Sequence, residues 1–267
     1  MVRTRRVAAA RRGQIMAVLQ VALLGAALLW LVLRGASGMG YNWQWYRIPQ
    51  FFGREVDGTW IWGPLSKGLV QTLYISALSF VLAMVLGLAT ALLRRGHSIV
   101  GRGIARAYVE LIRNTPLLIQ LYLVYFVIAP LVGLDRWWTA VVCLGLFEGA
   151  FAAEIFRAGL ASVPKGQWEA GESLGLGRRD LYRYVVLPQA LRLMLPPLTS
   201  LAVSLVKHSS LVSVIGVFEL TTEGRNLVSD TYMSFEIWFT VAAVYLVVTT
   251  LMSAAAQGLE RRLARSG

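Results

Sequence analysis

"KGQWEAGESLGLGRRDLYRYVVLP", residues 165–188, carries seven charges in 24 residues and lies between two long apolar runs. It is too charged to sit in hydrocarbon and far too long for a tight turn. Its surroundings decide how it is read. The chain has 267 residues, of which 57% are hydrophobic and only 15% charged, where soluble domains average about 25%. With a mean hydropathy of +0.59, this is the profile of an integral membrane protein. The basic balance, 26 Lys and Arg against 14 Asp and Glu, could suit nucleic acid. The basic residues cluster in the segments between apolar spans, however, as orientation in a lipid membrane requires, so nucleic acid is not expected as a partner. Cys143, the only cysteine, stands in an apolar run and reads as a small buried hydrophobe.

A helix crossing about 30 Å of hydrocarbon needs about 20 mostly apolar residues. Six stretches qualify, at 14–33, 68–93, 107–129, 138–160, 198–217 and 237–257, and an all-α membrane protein of about six transmembrane helices is expected. Barrel strands are excluded, because they run to about ten residues and alternate in polarity. With the N-terminus inside, eighteen Lys and Arg face the cytoplasm, among them Arg94, Arg95, Arg178, Arg179 and Arg261. Six, Arg34, Arg47, Arg54, Lys67, Arg136 and Arg225, face outward. Both termini are therefore expected in the cytoplasm, in a multi-pass chain. The first span follows a basic stretch, and a cleaved signal peptide is its alternative reading. The Trp- and Tyr-rich segment 41–64 after it reads as an outer interfacial apron, with a ligand-stacking surface as the alternative.

This orientation puts residues 161–190 in the cytoplasm. There the chain forms a short amphipathic helix after Pro164, with Trp168 and Leu174 as apolar contacts. Gly175 and Gly177 then break it, since glycine supplies the backbone freedom of a reversal. A second helical arm, "RRDLYRYVVL" (178–187), runs into Pro188. A solvated loop would account for the charges. It would not account for Trp168, Leu174, Leu176, Tyr182 and Tyr184 in the same loop, whereas a docking site for a soluble partner would.

The spacing Glu169-Ala170-Gly171, then Gly175, then Val185 and Leu187-Pro188 resembles the cytoplasmic loop signature of ATP-binding-cassette (ABC) importer permeases. Where that family usually has a second alanine and an isoleucine, this chain has Gly171 and Val185. "YVELIRNTPLLIQLYLVYF" (108–126), "AEIFRAGLASVPKGQ" (153–167), "LPQALRLMLPPLTS" (187–200) and "SLVKHSSLVSVIGVFELT" (204–221) are similar to the polar amino acid permease subfamily. The resemblance covers residues 64–262. It implies the type I importer transmembrane core of five helices, so residues 1–63 would add a tail, an extra helix and the Trp-rich periplasmic segment. It also implies a bacterial inner membrane location and a second permease subunit, identical or related. Two copies of an ATPase subunit would bind the loops, and a periplasmic binding protein would deliver the amino acid. Trp168, Glu169, Ala170, Gly171, Gly175, Leu187 and Pro188 would then form the ATPase coupling element.

The residues fit that division of labour. A phosphate-cradling P-loop needs glycine directly before lysine, and the three lysines follow Ser66, Pro164 and Val206. No ATP site, cofactor, metal or enzyme activity is expected. With two histidines and one cysteine, a zinc site lacks ligands.

Each ionisable group near midplane costs about 2.5–3.5 kcal/mol on insertion scales and needs a reason. Lys207, counted from Pro197, lies about 14 Å into its span, and Glu148 stands mid-span in the fourth. Together with His208 and Ser209 they are candidates for a substrate path, where a zwitterion needs both an acceptor and donors. The alternative is a structural pair between Glu148 and Lys207, or Lys207 bonded to carbonyls freed by Pro196 and Pro197. Arg113 is expected to pair with Glu110 next to a kink at Pro116, and Glu154 with Arg157, one helical turn away. The rival from another class is a secondary transporter or channel, which would need midplane charges but no docking loop.

Overall fold

Apolar helix-forming sequence dominates the computed structural model, which describes residues 16, 18–27, 30–31, 34–35, 38 and 40–265. The chain divides into two units, Met1–Gln44 and Trp45–Gly267. In the first, α1 (Val18–Ala27) is an apolar helix with exposed side chains. The rest of the expected first span and the arginines before it lie largely outside the described residues.

The second unit opens with a short helix α2 (Ile48–Phe52) and a hairpin of β1 (Gly53–Val56) and β2 (Thr59–Trp62). Asp57 and Gly58, both at positive φ, turn the hairpin. Sequence reading placed no strands here. Then follow α3 (Pro64–Arg95), α4 (Ile99–Arg113), α5 (Leu117–Leu123), α6 (Ala129–Val132) and α7 (Arg136–Ala161). The polar hairpin consists of α8 (Lys165–Ser173) and α9 (Arg178–Asp180), and α10 (Leu187–His208), α11 (Leu220–Thr231) and α12 (Ser234–Arg265) complete the chain. Helix starts carry caps: Ser98 accepts from Gly101 N–H at 3.1 Å and Asp135 from Trp138 N–H at 2.8 Å.

The centre of the unit is α3 lying parallel to α7. Lipid tails are as apolar as leucine, so membrane helices gain little from hydrophobicity alone and associate through close packing at small residues. Here a Cβ on Gly87 would stand 2.6 Å from that of Ala152, and one on Gly145 would stand 2.6 Å from Leu82 Cδ2. The Ser79 hydroxyl donates to the Val141 carbonyl at 3.1 Å. Since both helices run the same way, the chain must cross back between them, and α4 to α6 make that crossing.

Two span expectations are corrected. The expected span 107–129 is not one rod, because α4 and the segment Leu117–Val132 meet at 109° across Asn114–Pro116. Pro116 cannot donate and disfavours helix at the residue before it. The freed Ile112 and Thr115 carbonyls accept from Gln120 Nε2 at 2.7 and 3.0 Å.

The expected span 198–217 begins too late. Arg178–Ile215 forms one run of 38 residues in which Pro188, Pro196 and Pro197 do not break the helix. A wide turn at Leu181–Val186 precedes Pro188, and Gln189 Nε2 donates to the Val185 carbonyl at 2.9 Å. Nor does the second arm of the polar hairpin stop at Pro188; it continues into α10. Among the described residues four helices are long and apolar enough to cross a membrane, and the bent pair makes a fifth.

Replacing Gly87 by leucine forces α3 and α7 apart and is expected to cost about 1–3 kcal/mol. A lower thermal midpoint of the purified complex in mild detergent, against an unchanged Gly103→Leu control in open space, is the check.

Candidate functional site

The polar hairpin is built as a rigid bracket. Pro164 starts α8, and Leu174 N–H closes it on the Ala170 carbonyl at 3.1 Å. Gly175 takes a φ of +76° at the reversal, a left-handed conformation that side chains with a Cβ resist. A Cβ on Gly171 would come within 2.2 Å of Leu181 Cδ1, so glycine here lets the two arms close on each other. Trp168 stacks edge-on against Tyr182, ring centroids 5.1 Å apart. The expectation that Trp168 and Leu174 share an apolar face therefore holds for Trp168 alone. Trp168 packs inside the bracket, whereas Leu174 is 81% exposed beyond the turn. Glu169 and Ala170 are also exposed.

The inner side of the bracket continues into the membrane bundle. Leu160 in the last turn of α7 and Val163 just after it join Leu181, Val186, Ala190 and Met194 in one buried cluster, with Trp168 and Tyr182 packed on its edge. Gly159 admits Met194, whose Cγ would stand 2.3 Å from a Cβ there. Leu187 and Pro188 sit at the exposed start of α10. The hairpin is thus packed onto the ends of both α7 and α10.

Glu148 does not pair with Lys207. Its buried carboxylate meets His208 Nδ1 at 2.7 Å, bridging α7 and α10, while the His208 ring remains partly exposed. Neighbours on a helix point about 100° apart, so Lys207 and His208 face different ways. Lys207 is exposed and lines a polar cavity of about 470 Å³ between α10 and α12, with Pro196, Pro197, Ser200, Ser204, Gln257 and Glu260 among its walls. Lys207 stands near the C-terminal end of α10, which starts at Leu187 and runs through Pro196 and Pro197. Ser209 is fully buried and donates to the Val206 carbonyl at 2.7 Å.

Beside the Glu148–His208 pair runs an aromatic track. His208 lies edge-on to Phe147 at 5.7 Å, Phe147 is 5.2 Å from Phe151, and the Arg113 guanidinium stands 5.3 Å from the Phe151 ring. The expected Glu110–Arg113 pair is thus absent among the described residues, and Glu110 accepts from Asn114 Nδ2 at 2.9 Å instead. Glu154 does pair with Arg157, at 2.8 Å, and also with Arg94 of α3.

Sequence reading missed Glu219. This carboxylate, fully buried, caps α11 by accepting from Thr221 and Thr222 N–H at 2.9 Å each, and it accepts from the Tyr245 hydroxyl at 2.9 Å. Thr72 of α3 adds a longer contact and also accepts from Leu220 N–H at 3.1 Å. Burial pushes the Glu219 carboxyl above its usual range, against these donors, which pull it down. The signal was available in "ELTT", an acidic cap before threonines at the start of a helix.

Among the described residues, four long apolar helices and one bent pair with an exposed polar bracket packed on two of the helices have the make-up of a membrane transport subunit. Comparison with known proteins identifies the lineage. Residues 83–265 match the family described as binding-protein-dependent transport system inner membrane component, and the chain belongs to that family. It is 37% identical over 215 residues to the glutamine transport system permease protein GlnP of Escherichia coli K12, covering 78% of this chain and 98% of that one. It is 38% identical over 206 residues to the L-cystine transport system permease protein TcyB of Bacillus subtilis, covering 76% and 88%. A solved amino acid ABC transporter with histidines superposes with a TM-score of 0.71 at 36% identity, covering 74% of this chain and 94% of that one. The fold is the type I importer transmembrane core. The chain is an inner-membrane transport component rather than an enzyme, ATP hydrolysis residing in a separate subunit.

Removing His208 leaves a buried carboxylate without its partner, and His208→Ala is expected to destabilise the α7–α10 contact by about 1–3 kcal/mol. Glu148→Gln combined with His208→Asn should cost less than the sum of the single changes, by at least about 0.5 kcal/mol. Thermal unfolding of the four proteins in one detergent measures the difference.

Proposed function

We propose that this chain forms the translocation path of an ATP-driven importer of polar amino acids and that residues 165–188 seat the ATPase. One observation carries the reading: the bracket exposes Glu169, Ala170 and Leu174 on its outer arm, while its inner arm shares a buried cluster with α7 and α10. A partner gripping the outer arm can rotate two membrane helices without touching them. Glu169 supplies a polar contact at the docking face. Gly175 sets the reversal, Trp168 and Gly171 stiffen the bracket, and Leu187 and Pro188 mark where it meets α10.

In this reading the hairpin and both termini face the cytoplasm, supported by the excess of Lys and Arg at that end. Two ATPase subunits act on two permease subunits, identical or related, and a periplasmic amino acid binding protein delivers substrate to the opposite end. The names of the relatives, permeases for glutamine and L-cystine, support polar amino acids as the class of solute.

The path is assigned to Lys207, His208 and Glu148. Lys207, reaching into a polar cavity, can donate to a substrate carboxylate. Glu148 is committed to His208, so it shapes the wall and leaves the partly exposed imidazole to face the solute. Ser209, bonded to backbone, holds the turn after α10.

Glu169→Lys and Gly175→Asp are expected to weaken ATPase docking about tenfold, equivalent to about 1.4 kcal/mol. Uptake per ATP hydrolysed should fall with it in proteoliposomes supplied with the co-purified ATPase and binding protein. Wild-type coupling in both variants would overturn the assignment of the hairpin. Lys207→Met should retain ATPase assembly but lower uptake, and unchanged uptake across the polar amino acids would remove Lys207 from the path.

A further inference from the structure

At the end of the bundle opposite the polar bracket, the hairpin of β1 and β2 presents an apolar edge that the transport reading does not use. Strand residues alternate between two faces, and cross-strand partners share one. The register pairs Gly53 with Trp62, Arg54 with Ile61, and Glu55 with Trp60. Trp60 and Trp62 therefore share a face with Gly53 and Glu55, while Arg54 and Ile61 occupy the other. Gly53 is what lets the Trp60 ring lie flat across the pair, since a Cβ there would stand 2.3 Å from Trp60 Cζ2. Even so, Trp60 is 57% and Trp62 61% exposed.

The hairpin is held firmly. Phe51, directly before β1, is buried with Leu65, Leu220, Met233 and Ile237 at the ends of α3, α11 and α12. Gly63 N–H donates to the Phe52 carbonyl at 2.9 Å, closing the base where α3 begins. Trp62 lies against the first turns of α3, beside Lys67 and Val70. Below it Val70, Tyr74, Val81 and Val85 recur on one exposed side of α3, at the spacing of a helical stripe. In a helix that crosses the membrane, an exposed stripe of this composition is suited to lipid, and Trp62, at the end of β2, lines one pocket with its upper member Val70.

We infer that the Trp60–Trp62 face of the hairpin is an interfacial anchor, seated among phospholipid headgroups and the adjoining ends of the acyl chains. Indole rings settle at that level because the ring is apolar and its N–H is not. Glu55, across from Trp60, fixes the depth. A carboxylate is excluded from hydrocarbon but sits well beside the ammonium groups of phospholipid headgroups. The anchor sets the height of the first turn of α3, the helix on which α7 packs along its length. It does not depend on the coupling or substrate assignments.

The test uses the full transporter in lipid nanodiscs, with phospholipid brominated on the acyl chain near the headgroup as one quencher of tryptophan emission and iodide as the other. Trp60→Phe with Trp62→Phe removes two of nine tryptophans. The emission that brominated lipid quenches is expected to fall in the double variant, with iodide quenching nearly unchanged. A double variant that loses iodide-quenched emission and keeps the lipid-quenched emission overturns the anchor, because the rings then face water. So does emission from these two rings that becomes shielded from iodide only when the binding protein is added, since the face would then belong to that protein. Should the phenylalanine variant fail to elute as an intact complex, Trp60→Tyr with Trp62→Tyr keeps the amphipathic ring and is read in the same way.

Discussion

Hydrocarbon offers no hydrogen bonds, so a backbone or charged group that this chain carries into the bundle is stabilised by a partner within the protein. That constraint governs the places where the structure departs from plain helix. The break at Asn114–Pro116 frees carbonyls, and Gln120 takes them up. The wide turn before Pro188 frees another, and Gln189 takes that one. Glu148 enters the bundle against His208, and Glu219 is buried only because two backbone N–H groups and a tyrosine hydroxyl converge on it. Each exception joins two segments distant in sequence or stabilises a bend, so the polar groups that are costly in lipid also hold the bundle together.

The same logic separates moving parts from fixed ones. The parallel pair α3 and α7 meets at glycines and alanines, where no side chain can yield, and is clasped at one end by Arg94 and Arg157 on Glu154. The polar bracket is equally stiff, with Gly171 against Leu181 and Trp168 against Tyr182. Two rigid bodies meeting along α7 and α10 can transmit a displacement that a flexible loop would absorb. On the proposed coupling role, the charged hairpin of an otherwise apolar chain offers an exposed arm to a partner and a buried arm to α7 and α10.

Much of this was legible from residues 165–188 and their flanks. Charge that cannot enter lipid, aromatics that do not belong in a solvated loop, and a glycine at the reversal are local properties, and the hairpin was read from them. Glu154 with Arg157 was legible for the same reason, since residues three apart on a helix are neighbours. Lys207, His208 and Glu148 were recognised as groups needing a reason, but their pairing was not. Which of two adjacent side chains on α10 faces α7 depends on the rotation of that helix, and no count along the chain supplies it. The expected start of the fifth span failed because Pro197 was read as a boundary, whereas α10 runs unbroken through Pro196 and Pro197.

The amino-acid sequence by itself determined the membrane class, the helical make-up of the chain and the polar bracket, because hydropathy, charge bias and glycine placement act over a few residues. Only the tertiary structure decided that His208 rather than Lys207 answers Glu148, that Arg113 rests on Phe151, that Glu219 gathers α3, α11 and α12, and that Trp60 and Trp62 share one exposed face of the hairpin. Those outcomes depend on how helices rotate and bend against one another, a rotation set by close contact between side chains far apart in the chain.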